Sequence, residues 1–197
     1  MRKVSTILCA VLFAVISAAP CFALELSADM VSKAGKGKES SSKVYMKENK
    51  FRMEMKGANS YSIVRPDKNV MWMVTPGQKM YMEMKVDPKQ NPKVEEKVKG
   101  EISRKLVGSE TIDGHPTKKY EVTYKETNKE QKVYQWFATD IKFGIKTAAI
   151  DGSWSTEYRN IKMSNQPDSL FEVPAGYQKM NMPNVPGMGG MMPGKKK

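Results

Sequence analysis

From Lys50 to Lys56 the chain alternates without a break, with Phe51, Met53 and Met55 set between Lys50, Arg52, Glu54 and Lys56. A period of two puts those sets on opposite faces of a strand, one apolar and one charged. Met80–Lys85 repeats the pattern, Met80, Met82 and Met84 opposing Tyr81, Glu83 and Lys85. Val70–Val74 is apolar at every position, which predicts a strand covered on both faces. The segments Arg65–Asn69 and Thr75–Lys79 each hold a proline and turn-tolerant residues and divide the three runs. The expectation is an antiparallel meander whose inner face is lined largely with methionine.

The N-terminus carries an address. Arg2 and Lys3 precede an apolar run from Ile7 to Ile16, followed by small residues and Cys21-Phe22-Ala23. This pattern predicts a secretory signal over 1–23, cleaved after Ala23, and a soluble periplasmic protein. Pro20 before Cys21 does not suit a lipoprotein signal. Both cysteines, Cys9 and Cys21, fall inside the signal, so the exported fold is expected to stand without disulfides. Lysine and arginine total 33 against 21 acidic residues, a basic balance that suits an anionic membrane surface as partner and equally a solvated sheet with blunted edges.

From Leu24 to Lys33 a first strand is expected, with Leu26, Ala28 and Met30 on one face, then a Gly, Ser and Lys loop over Ala34–Ser42. Gly35-Lys36-Gly37-Lys38 lacks the spacing and context of a phosphate-binding loop. Beyond Lys85, Pro92 can open a short helix whose stripe is Val94, Val98 and Ile102, interrupted by Gly100. Strands resume at Leu106–Ile112, turn at Asp113-Gly114, and continue through Lys118–Lys125, Val133–Ala138, Ile145–Ile150 and Ser153–Met163. In the last of these the apolar register steps from Trp154 and Tyr158 to Ile161 and Met163, which predicts a bulge near Arg159 or Asn160. The fold class is mainly β (α+β): an unclosed, strongly curved antiparallel sheet, a half-barrel, with one or few short helices. One domain is expected over 24–178. The tail 179–197, rich in Met, Pro, Gly and Lys, has no periodicity to support a fold.

Three blocks resemble a known family: Tyr45–Glu54, then Ile63–Met73 with its Thr75-Pro76 turn, and Pro167–Tyr177. In order and rough spacing they resemble the LolA/LolB-like superfamily of outer-membrane lipoprotein carriers, and in particular the DUF4412 group of exported bacterial proteins. The resemblance implies a curved sheet whose concave apolar face receives the acyl chains of a lipoprotein or another lipid. It also places Lys47 near a basic residue, arginine in the carriers, that serves lipoprotein handling.

The candidate ligand surface comprises Phe51, Met53, Met55, Met71 and Met73, continued by Met80, Met82 and Met84, with Trp72 and Trp136 as anchors. Lys47 and Arg52 would steer an anionic headgroup at the rim. Flexible, polarisable methionine suits a surface that adapts to varied apolar ligands. An ordinary filled core, in a structural or envelope-sensing module, accounts for the same residues. Soft-metal binding is the other alternative, since thioethers select Cu(I) and the tail offers Met180, Met182, Met188, Met191 and Met192. No cofactor is expected. His115, the sole histidine, sits between Gly114 and Pro116 in a turn, and no nucleophile elbow or metal-ligand helix accompanies it, so catalysis is not expected. Nucleic acid is not expected as a partner either, because the aromatic residues alternate into the core. The expected partners are lipid or lipoprotein acyl chains, and the expected state is a monomer, with association to the outer membrane as an extension.

Overall fold

A computed structural model describes residues 24–35, 37–86, 97–126 and 129–180. The expected signal, most of the Pro92–Lys99 helix and the tail beyond Met180 lie outside these residues. Twelve strands form one sheet: β1 (Glu25–Ala34), β2 (Lys38–Lys47), β3 (Lys50–Met55), β4 (Tyr61–Arg65), β5 (Val70–Thr75), β6 (Met80–Lys85), β7 (Glu101–Ile112), β8 (His115–Glu126), β9 (Lys129–Ala138), β10 (Phe143–Ala149), β11 (Trp154–Met163) and β12 (Gln178–Lys179). Across the sheet they run β12-β6-β5-β4-β3-β2-β1-β11-β10-β9-β8-β7. β1 therefore lies mid-sheet: the first six strands walk outward to one edge, the next five walk back from the other, and β11 closes against β1. Neighbours are antiparallel except the short pair β12 and β6. The two edges do not pair, so the sheet is unclosed.

Local chemistry explains the turns. The segments 66–68 and 76–78 are 3-10 turns that begin with proline and end on a left-handed residue, Asn69 at φ 55° and Lys79 at φ 51°. Proline sets the entry angle, and the left-handed residue turns the chain back into the next strand. Asp113 (φ 51°) and Gly114 (φ 80°) make the expected tight hairpin between β7 and β8. The expected bulge is present: the β1–β11 register slips between Ser27 and Asp29, and Asn160 stands at φ 52°. Asp113 holds it, its carboxylate accepting the backbone N–H groups of Asn160 at 3.0 Å and Ile161 at 2.7 Å.

Several expectations are corrected. The meander has a further strand, β4, between the run at Lys50 and the run at Val70. The loop expected over Ala34–Ser42 shortens to the turn around Gly35 and Gly37, because Glu39–Ser42 pair in register with Met30–Lys33. Ile102 belongs to strand β7, not to a helical stripe; Gly100, at φ 75°, turns the chain and its carbonyl accepts the Lys125 N–H at 2.9 Å. β5 is not covered evenly: Trp72 and Val74 are buried on one face, while Met73 on the other is 42% exposed.

Paired residues in a ladder share a face, so the register divides the sheet into two surfaces. On one, Leu26, Ala28, Val44, Met46, Phe143 and Ile145 form a core cluster with Tyr158 and Phe51 packed against it. Val44 on β2 and Ile145 on β10 are three strands apart, about 14 Å in a flat sheet. Both are fully buried, with no described helix above them. The sheet therefore curls toward this face, which is the concave one. On the other face a smaller cluster gathers Ile63, Trp72 and Val74 around Phe171.

Candidate functional site

The register turns the alternation of single strands into rows. One row crosses seven strands as Met84, Met71, Val64, Phe51, Met46, Leu26 and Met163, apolar at every step. The next runs Met82, Met73, Ser62, Met53, Val44 and Ala28. Met80 faces Thr75, and Met55 faces Ser42 beside Met30. On β3 and β6 the charged residues Arg52, Glu54, Glu83 and Lys85 stand on the opposite side, so β2 to β6 present one face built largely from methionine. It deepens from the fully buried Leu26 and Val44 to the open Met55 and Met73, 51% and 42% exposed. Between Met53 and Met73 the short Ser62 leaves a hollow of about 120 Å³, also lined by Met55, Ala58 and Ser60.

Further along the concave face the chemistry changes. Ser32, Thr156, Thr147 and Gln135 form a cross-strand row of polar groups, with the Ser32 and Thr156 hydroxyls 3.3 Å apart. Gln135 is buried, and its side-chain oxygen accepts no hydrogen bond from the described residues. At the end of the sheet where β1 begins, an open depression of about 1100 Å³ is bordered by Leu24, Glu48, Asn49, Ile141 and Met163.

The opposite face carries a strap. After β11 the chain crosses β2 to β5 as far as β12, through the 3-10 turn Asp168–Phe171, and buries Phe171 completely. Arg65 Nη1 donates to the Phe171 carbonyl at 2.9 Å and also pairs with Glu172, while its Nε and Nη2 grip Asp67 at 2.8 and 2.6 Å. Those bonds hold the Asp67 carboxyl below its ordinary range.

The residues singled out by sequence divide between these faces. Phe51, Met53, Met55, Met71, Met73, Met80, Met82 and Met84 stand together on the concave surface. Trp72 and Trp136 stand on the other face. Trp72 donates to Glu83 at 3.0 Å beside Phe171, and Trp136 donates to Glu110 with the Lys119 and Lys146 ammonium groups 4.7 and 5.0 Å from its ring. Lys47 and Arg52 also face the strap. Lys47 donates to the Gln166 carbonyl at 3.0 Å and pairs with Asp168 at 3.3 Å. Arg52 donates to the Leu170 carbonyl at 3.1 Å and lies 3.7 Å over the Tyr61 ring. Met180 follows β12, and Met182, Met188, Met191 and Met192 lie outside the described residues. His115 Nδ1 is 2.7 Å from Asp140 Oδ2, which ties the start of β8 to the turn after β9. Among the described residues no cluster of His, Cys, Asp and Glu is arranged to hold a metal. Sequence reasoning assigned no role to Arg65, Gln166 or Phe171. The available signal was that the strap block and the Arg65 block recur together in the family resemblance.

The profile of a domain of unknown function, DUF4412, matches residues 24–144. No curated protein matches the sequence. Among solved structures, MucB in complex with MucA(peri) superposes with a TM-score of 0.50 at 11% identity, over 81% of this chain and 57% of that one. This chain thus spans little more than half of MucB, and the likeness is one of fold. The lipoprotein LppX of Mycobacterium tuberculosis is similar over 74% of this chain and 88% of its own, at 14% identity and a TM-score of 0.45. A LolA superfamily protein of Nitrosomonas europaea is similar over 78% and 91%, at 13% identity and a TM-score of 0.35.

Proposed function

This chain belongs to the DUF4412 family, and we propose that it is an exported, periplasmic, non-enzymatic binding protein that holds the acyl chain of a lipid or lipoprotein on its concave methionine face. The observation that carries this reading is the in-register apolar row from Met84 through Met71, Val64 and Phe51 to Met46, flanked by the open thioethers of Met55 and Met73. A globular core does not need that exposure, whereas an acyl chain laid along the row removes it from water at about 25 cal/mol per Å² before association costs. Methionine adapts its three side-chain torsions to chains of differing length and kink. The polar row on the same face, with the Gln135 oxygen that accepts no hydrogen bond among the described residues, offers hydrogen bonds to a headgroup.

The test is titration of a fluorescent fatty-acid probe into the wild-type chain and into Met73→Gln/Met82→Gln. Saturable binding by the wild type, lost in the variant while its melting temperature stays close to that of the wild type, is the expected outcome. Absence of binding by the folded wild type overturns the reading. A second reading follows from the similarity to MucB, whose structure holds a protein partner: an envelope-sensing module that docks a protein on the same fold, which predicts partner capture without lipid.

A further inference from the structure

We propose that the hollow between Met53, Met55 and Met73 is a binding site for a soft monovalent cation, Cu(I) or its analogue Ag(I), held by thioether sulfur. Met53 and Met55 are separated by one residue on β3 and so share the concave face, and Ser62 lies between Met53 and Met73 in the same cross-strand row. Where a larger side chain would fill the row, Ser62 with Ala58 and Ser60 leaves about 120 Å³ lined by the three methionines. Long, flexible side chains rising on both sides of a short one can bring their sulfur atoms together over it.

The donor set decides the ion. A thioether is neutral and soft; it binds Cu(I) and discriminates against Mg²⁺ and Ca²⁺, which need oxygen ligands, and against Zn²⁺, which takes imidazole, thiolate or carboxylate. The lining residues include no carboxylate, imidazole or thiol, so a hard cation finds no ligand set there. Access is direct, since Met55 and Met73 are 51% and 42% exposed. Packing alone does not call for sulfur at these positions, because the same row continues in Val44 and Ala28. The site is independent of the acyl-chain reading, although it shares the face.

The test titrates Ag(I), which is redox-silent, into the full chain carrying ¹³C-methyl methionine and Cys9→Ala/Cys21→Ala, which removes the competing thiols. The first equivalent is expected to shift the methyl resonances of Met53, Met55 and Met73 ahead of the others, with a 1:1 complex in native mass spectra. Met53→Leu/Met55→Leu/Met73→Leu keeps volume and apolarity while removing sulfur, so it should lose the 1:1 complex while its melting temperature stays close to that of the wild type. Met73→Leu alone serves if the triple variant does not fold, and should weaken Ag(I) binding measurably. Shifts confined to Met180, Met182, Met188, Met191 and Met192, shifts spread evenly over all methionines, or unchanged Ag(I) binding by the leucine variants would each overturn the proposal. Loss of probe binding by the wild type would count against the acyl-chain reading alone.

Discussion

Arg65 and Phe171 are locked to each other from two directions: the guanidinium donates to the Phe171 carbonyl at 2.9 Å, and the Phe171 ring packs on Ile63, two residues before Arg65 on the same face of β4. The strap that carries Phe171 closes the convex side of the meander, which leaves the methionine side as its open apolar surface.

Cutting this lock should release the strap. Arg65→Met removes the donor to Phe171 and the pairs to Asp67 and Glu172, and should cost about 2–3 kcal/mol. Phe171→Ala opens a cavity against Ile63, Trp72 and Val74 and should cost about 3–5 kcal/mol. Urea unfolding followed by tryptophan fluorescence checks both, and Trp72 beside Phe171 should report the local change.

The same lock makes the fold acid-sensitive. Arg65 holds Asp67 below its ordinary value of 3.8. For Glu172, burial pushes the carboxyl up, but hydrogen bonds from Lys68 and Arg65 outweigh it and the net position is below 4.5. Since both folded values are depressed, the unfolded chain takes up protons first as pH falls. Their stabilisation is full above about pH 5 and is lost as pH drops through the folded values. Stability at pH 7 and at pH 3.5 should differ more for the wild type than for Asp67→Asn/Glu172→Gln.

The bulge at Asn160 gives a separate test of backbone geometry. Asn160 is left-handed, and its side chain donates to Asp29 at 2.7 Å. Asn160→Val, which resists that conformation, should lose about 1–2 kcal/mol. Asn160→Gly should lose less, and thermal unfolding of the two variants should rank them in that order.

The open methionines should matter little to folding. Met73 is 42% exposed, so Met73→Gln should change stability by less than about 1 kcal/mol while weakening binding of the fatty-acid probe.

Much of the sheet was legible because a period of two is unambiguous where lysine and methionine alternate, as in Lys50–Met55 and Met80–Lys85. The Asp113-Gly114 hairpin and the bulge at Asn160 were legible for similar reasons, one from turn chemistry and one from a broken parity. Four features were not. Val94, Val98 and Ile102 are spaced by four, a multiple of two as well as about one helical turn, so the spacing cannot separate strand from helix. Ser40–Ser42 read as loop by composition, yet small polar residues pair well on a long hairpin when β1 supplies the register. The face of Trp72 follows from its pairing with Ile63 and Glu83. In an all-apolar strand, parity alone does not say which side meets the strap. Lys47 and Arg52 read as rim charges for an anionic headgroup because their partners in the strap, the Gln166 and Leu170 carbonyls, lie more than a hundred residues away.

The most direct test of the acyl-binding account is native mass spectrometry of the chain expressed with its own N-terminus and purified from the envelope without detergent, followed by solvent extraction. The account predicts a co-purifying acylated molecule in the wild type and its absence from Met73→Gln/Met82→Gln. A wild-type protein that carries nothing and takes up neither phospholipid nor lipopeptide when offered them would contradict it.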